Sequence, residues 1–260
     1  MATLEPILTS EYDNRRWHFD WIVPAFLHPR QTMARVAAAD RGLASTPVLL
    51  WLIAAVLVAL ITGSIHADAA ASGQIPPPPE YYTPEQQAQY QQAMQATSGP
   101  MFTYVLPALV AAAGVVAYVL LVAMLLHLFL TLLGGRGKSQ QKLNIVAWAS
   151  MPLLLRAVVR AAAMMSSGKL IAYPGLSGFA PGGEGIVPVL VAALLSAFDL
   201  YLLWHVGMLV GGLRIAERLP RTRIWVAVVV TLVIVLLLGA VPELIAGQLG
   251  DVTFTRPFLY

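Results

Sequence analysis

The run LLLRAVVRAAAMM, residues 153–165, sets Arg156 and Arg160 four positions apart in otherwise wholly apolar sequence. On a helix the two guanidinium groups share one face, one turn apart. Permanent cations in such a setting line a path for a substrate, pair with carboxylates to hold helices together, or reach out to the membrane surface. Two carboxylates lie in similar surroundings, Asp199 in LLSAFDLYLLWHV and Glu243 in AVPELIAG. His127 and His205 could begin a metal site, but no third ligand is evident, and hydrogen-bonded core histidines are the plainer reading.

Other reactive-looking motifs fail on context. SSGKL at 166–170 lacks the first Gly and the Ser/Thr after Lys that a phosphate-binding loop requires. There is no HExxH. GLSG at 175–178 has the GxSG form of rhomboid proteases, yet it sits in a proline-rich loop, not at the start of a membrane helix. His205, the candidate base, falls at the opposite end of its span, and Ser–His chemistry needs near contact. No cysteine is present, so there is no disulfide, thiolate nucleophile or Cys-based metal site.

The positioning elements follow from composition. Of 260 residues 58% are hydrophobic and only 11% charged, with mean hydropathy +0.72. A soluble protein is nearer a quarter charged, so the solvent for most of this chain is lipid. The net charge of +3 does not point to nucleic acid, because the basic residues are distributed by topology. Five segments are apolar enough to span ~30 Å of hydrocarbon at ~1.5 Å per residue: about 47–66, 104–133, 143–167, 187–213 and 224–246. Pro152 and the two arginines interrupt the third. The first twenty residues contain no secretory h-region, so the first span is expected to remain as a signal anchor.

The loops orient these spans. Arg15, Arg16, Arg30, Arg35 and Arg41 precede the first. Arg136, Lys138 and Lys142 lie between the second and third, and Arg214, Arg218, Arg221 and Arg223 between the fourth and fifth. The intervening loops and the tail carry only Lys169 and Arg256. The bias alternates at every crossing and predicts a cytoplasmic N-terminus and an extracytoplasmic C-terminus. The expected fold is therefore an all-α integral membrane protein, a bundle of five transmembrane helices. Residues 1–46 form a cytoplasmic or interfacial segment, 47–247 the membrane domain and 248–260 the extracytoplasmic tail.

Pro29 opens a short helix over about 30–39, and Trp17, Trp21, Arg30 and Arg35 suit an interfacial position. In the outer loop 67–103 a proline run precedes a polar helix capped by Thr83, running to about residue 96 and expected to rest on the bundle. The turn-rich stretch YPGLSGFAPGGEG is expected to be mobile.

Counting from the span ends places Arg156 and Asp199 near mid-membrane, with Arg160 and Glu243 further out. The expectation is a charge network of Arg156, Arg160, Asp199 and Glu243 joining the last three spans. Ser196, Gly207 and Gly211 share a face of the fourth span with Asp199, and GMLVG at 207–211 is a GxxxG pattern suited to close helix contact.

In order along the chain, HPRQTMARV, then LLGGRGKSQQKLNIVAWASMP, then DLYLLWHVGMLVGGLRIAERLPRTR resembles the Yip family of Ypt/Rab-interacting membrane proteins, in its bacterial branch. The residues carrying the resemblance are Gly134, Gly135, Ser139, Val146, Ala147, Trp148, Ser150 and Pro152, and it covers roughly 20–247 apart from the outer loop. The resemblance implies a five-span bundle with a cytoplasmic N-terminus, no catalytic residues and no cofactor. Family members in eukaryotes act in vesicle traffic through small GTPases; some bacterial members accompany ABC-type exporters. The expected role is an accessory or assembly subunit of a membrane complex in the bacterial cytoplasmic membrane. Its expected partners are membrane lipids and a membrane protein such as ABC exporter subunits, without nucleic acid; a homo-oligomer is also open. The rivals are a transporter or channel lined by Arg156, Arg160 and Asp199, and a lipid-binding protein that organises the membrane.

Overall fold

A computed structural model describes residue 15 and residues 17–71, 83–97, 99–183 and 185–249. The proline run at 76–79 and the tail beyond 249 lie outside the described residues.

Every regular element among these residues is helical. Helices α1 (Ile22–Leu27) and α2 (Pro29–Ala38) follow a single 3-10 turn and precede the long α3 (Ser45–Ala71). Pro29 begins α2, where its missing N–H would be unsatisfied anyway. Helix α4 (Pro84–Thr97) opens on a reciprocal cap: the Gln86 amide N–H donates to Thr83 Oγ1 (3.3 Å), and the Thr83 N–H donates to Gln86 Oε1 (2.9 Å). This helix was expected to rest on the bundle, but among the described residues it packs extensively on no other element.

A π-helical turn, Met101–Val105, leads into α5 (Leu106–Leu132). The third span is α6 (Ser139–Ala149) followed by α7 (Met151–Ser167), interrupted at Ser150 because Pro152 has no N–H to continue the ladder. The fifth is α10 (Arg221–Leu249). The fourth departs from a single helix. It comprises α8 (Ile186–Ala197) and α9 (Leu200–Ala216), bent by 64°. By length and composition four helices can cross a membrane, or five elements if the bent pair counts as one span.

Helix α6 is the centre of the bundle. Ile145, Val146, Trp148 and Ala149 are fully buried, and α2, α5 and α9 pack around them. The N-terminal segment is thereby part of the core: Met33, Val36 and Ala37 of α2 are buried against α6 and α9. Polar side chains of α6 seal that contact. Asn144 donates to the Arg41 carbonyl (2.6 Å) and accepts from the Leu43 N–H (2.8 Å), while Trp148 Nε1 donates to the Leu43 carbonyl (2.9 Å).

Close approach of α2 to α9 depends on Gly212. A Cβ there would lie 2.5 Å from Met33 Cε and 2.9 Å from Ile145 Cγ2. Gly212→Leu should therefore lower stability by about 1–3 kcal/mol through overpacking, read as a lower melting temperature in detergent. Gly207→Ala and Gly211→Ala should leave it unchanged, because a Cβ at either meets nothing within 4 Å. The GxxxG pair is thus not a packing face within the chain; the glycine that brings helices together is one residue further on.

The turn-rich loop after α7 is not a free tether. The Leu176 N–H donates to the Leu195 carbonyl at the end of α8 (2.9 Å), and Ser177 Oγ donates to the Pro174 carbonyl (2.8 Å).

Candidate functional site

Two charge centres stand out, one in the membrane-level half of α7 and one at the basic end of the bundle.

In the first, Arg156 Nη1 meets Asp199 Oδ2 at 3.2 Å. Asp199 is not on a continuous helix face. It is the N-cap of α9, at the break after Phe198, and its Oδ1 accepts from the Leu202 N–H (2.9 Å). One carboxylate thus satisfies an open helix terminus and neutralises a guanidinium at the same time. The wider network does not form. No ion pair among the described residues involves Arg160 or Glu243. Helix α7 packs on α3 and α9, whereas α10 packs on α5, α8 and α9, so the matching depths of Arg160 and Glu243 do not make them neighbours. Arg160 is half-buried and Glu243 exposed. Ser196 Oγ donates to the Ala193 carbonyl within α8 (2.7 Å) and joins no charge.

At the break in the third span, His205 Nδ1 donates to the Ala149 carbonyl (2.8 Å), which leaves Nε2 to accept from the Tyr118 hydroxyl (3.0 Å). It is a core histidine joining α5, α6 and α9. No group of three or more metal-ligating side chains occurs among the described residues.

The second centre was missed in the sequence. Lys142, counted there as a loop charge, is buried to 1% exposure and ion-paired with Glu217, equally buried at the end of α9. The loop Gly134–Gly137 covers the pair. Lys142 Nζ donates to the Gly137 carbonyl, and the Gly137 N–H donates to Glu217 Oε2 (3.3 Å). A Cβ at Gly135 would lie 2.8 Å from Glu217 Oε2, and one at Gly137 would lie 2.7 Å from Lys142 Nζ. Glycine is required here because the backbone itself is the lid. Both charges lie inside the family-like stretches, Lys142 in 132–152 and Glu217 in 199–223, among polar neighbours that give no sign of burial.

The buried residues of α6 and the glycines before it are the same residues that suggested a family. A family model for the Yip1 domain matches residues 25–241. The chain belongs to the Yip1 family. The match begins at Ala25, just before α2, and runs nearly to the end of α10, so the Yip1 domain includes the N-terminal helix packed on α6 and α9 as well as the spans. Neither the curated proteins nor the solved structures include a significant match to it.

The interfacial residues divide. Trp21 is half-buried against Trp148, with ring centroids 5.6 Å apart, so it belongs to the core contact. Trp17 is exposed and stacks on Phe19 at 6.0 Å. Arg30 and Arg35 are exposed. The apolar face open to the outside is instead Phe19, Val23 and Leu27, four residues apart.

Proposed function

We propose that this Yip1-domain protein is a non-enzymatic accessory or assembly subunit of a larger membrane complex, an ABC-type exporter being the candidate suggested by the bacterial members of the family. In this reading the basic end faces the cytoplasm of a bacterial cell. The observation that carries it is Arg160. Arg156 and Arg160 share one face of α7, but the one carboxylate in reach among the described residues, Asp199, is bound to Arg156 and to the Leu202 N–H that it caps. Arg160 lies about 10 Å below the outer end of α7 at ~1.5 Å per residue. A cation at that level is stabilised by an acidic group, and a second membrane protein is the source that suits an accessory subunit. The transporter alternative requires a water-accessible path along Arg156, Arg160 and Asp199, and flux through the reconstituted chain, lost with Arg156→Leu, would favour it.

Purification from native membranes in mild detergent tests this. A membrane-protein partner is expected to co-purify with the natural chain and to be lost with Arg160→Leu, while Arg160→Lys retains it. Recovery of the bare chain in every case, or retention of the partner with Arg160→Leu, would overturn the proposal.

A further inference from the structure

A cavity of about 450 Å³ lies at the basic end between α2 and α9. That is within the range of small-ligand pockets, roughly 300–1,000 Å³. It exists because of two absences. Gly207 and Gly211 contribute no side chains, and a Cβ on either would meet nothing, so the groove along α9 is open. Contacts to α9 close it on either side, Phe26 of α1 edge-on to Trp204 at 5.8 Å and Met33 of α2 on Gly212.

The groove is apolar along its length and cationic at its mouth. Met33 and Met208 line it, and Arg30 from α2 and Arg214 from the last turn of α9 complete it. Both arginines are exposed, neither has an ion pair among the described residues, and no carboxylate lines the cavity. The surrounding surface is apolar. Leu200, Leu203 and Ile215 of α9 are more than half exposed and lie at the helical spacing of Gly207 and Gly211. On the N-terminal side Phe19, Val23 and Leu27 form the exposed stripe. Such apolar faces suit a lipid environment, and with the groove opening beside them its arginines would stand at headgroup level.

We infer that this groove is a binding site for an anionic phospholipid of the bilayer, with one acyl chain lying over Gly207 and Gly211 and the phosphate-bearing headgroup held by Arg30 and Arg214. Two unpaired guanidinium groups at the mouth select negative charge, and their planar forks match phosphate oxygens. The glycine gap selects a chain rather than a compact solute. The site is independent of any partner at Arg160.

The full chain, purified in mild detergent and exchanged into mixed vesicles of phosphatidylglycerol and phosphatidylcholine, provides the test. Lipid retained after mild delipidation is identified by native mass spectrometry. Phosphatidylglycerol should be retained preferentially. Arg30→Gln with Arg214→Gln should lower that preference about tenfold or more, the size expected for loss of a charge-assisted hydrogen bond. Gly211→Leu should abolish retention of either lipid by filling the groove. Arg218→Gln with Arg221→Gln, at the same end but outside the cavity, should leave the preference intact. Circular dichroism of each variant identifies any that fails to fold; for the arginines, Arg30→Lys with Arg214→Lys should then retain a measurable preference. Equal retention of the two lipids, equal loss in both arginine pairs, or an acidic polypeptide in place of lipid would each overturn the assignment.

Discussion

Lys142→Met is expected to be among the most damaging single substitutions in this chain, lowering stability by about 3–5 kcal/mol, because it leaves Glu217 charged, buried and without its cation. Both side chains are only 1% exposed, so neither can recover its loss from water. Glu217→Leu should cost a similar amount by stranding the Lys142 ammonium. The double variant separates the pair from its surroundings. If the two charges mattered only to each other, removing both would be nearly neutral. Here the Gly137 carbonyl and N–H also take part, one bonded to each member. Those backbone groups lose partners in the double variant at about 1–3 kcal/mol each where they stay buried. The double variant should therefore melt above either single variant and below the natural chain. Thermal unfolding in detergent, followed by Trp fluorescence, reads all four states. Single variants that melt like the natural chain would mean that the glycine loop does not seal the pair.

The long apolar helices were legible because runs such as 47–66 are too apolar to be stable in water, and Pro152 marked its own break. The broken fourth span was not. Asp199 in the middle of an apolar run was read by depth alone, as a charge on a helix face, although Asp also competes for backbone N–H groups and favours N-caps. The cap geometry decides, through the Leu202 N–H. Depth likewise suggested Arg160 with Glu243, but equal depth says nothing about which helices are adjacent. Small-residue spacing had the same weakness: Gly207 and Gly211 fit a contact motif, yet they face outward and Gly212 faces α2. The buried Lys142–Glu217 pair was hidden by the rule that oriented the chain. That rule counts loop charges as solvated, and nothing in a single sequence distinguishes a lysine in water from one folded under a glycine loop. The family-like residues 146–148 were readable as a pattern, while their burial at the centre of the bundle required the packing of α2, α5 and α9 around them.

Asp199→Ala should be the second large loss, and its comparison with Asp199→Asn separates the two tasks of one carboxylate. Asn keeps a side-chain oxygen for the Leu202 N–H, since it is as good an N-cap as Asp. It cannot neutralise Arg156, so Asp199→Asn isolates the ion pair. An uncompensated arginine at this level costs about 2.5–3.5 kcal/mol on insertion scales. The actual loss should be smaller, because both side chains retain some exposure, about a fifth of each. Alanine removes the cap as well, adding about 0.5–2 kcal/mol and freeing the start of α9. Arg156→Leu should be milder than Asp199→Ala, because the carboxylate it leaves behind still accepts from the Leu202 N–H. The expected order of melting temperatures is the natural chain, then Arg156→Leu and Asp199→Asn together, then Asp199→Ala lowest. Equal losses for Asn and Ala would mean that the cap contributes nothing measurable and the pair alone holds the bend. A harmless Asn with a costly Ala would reverse the assignment, making Asp199 a cap that happens to lie beside an arginine.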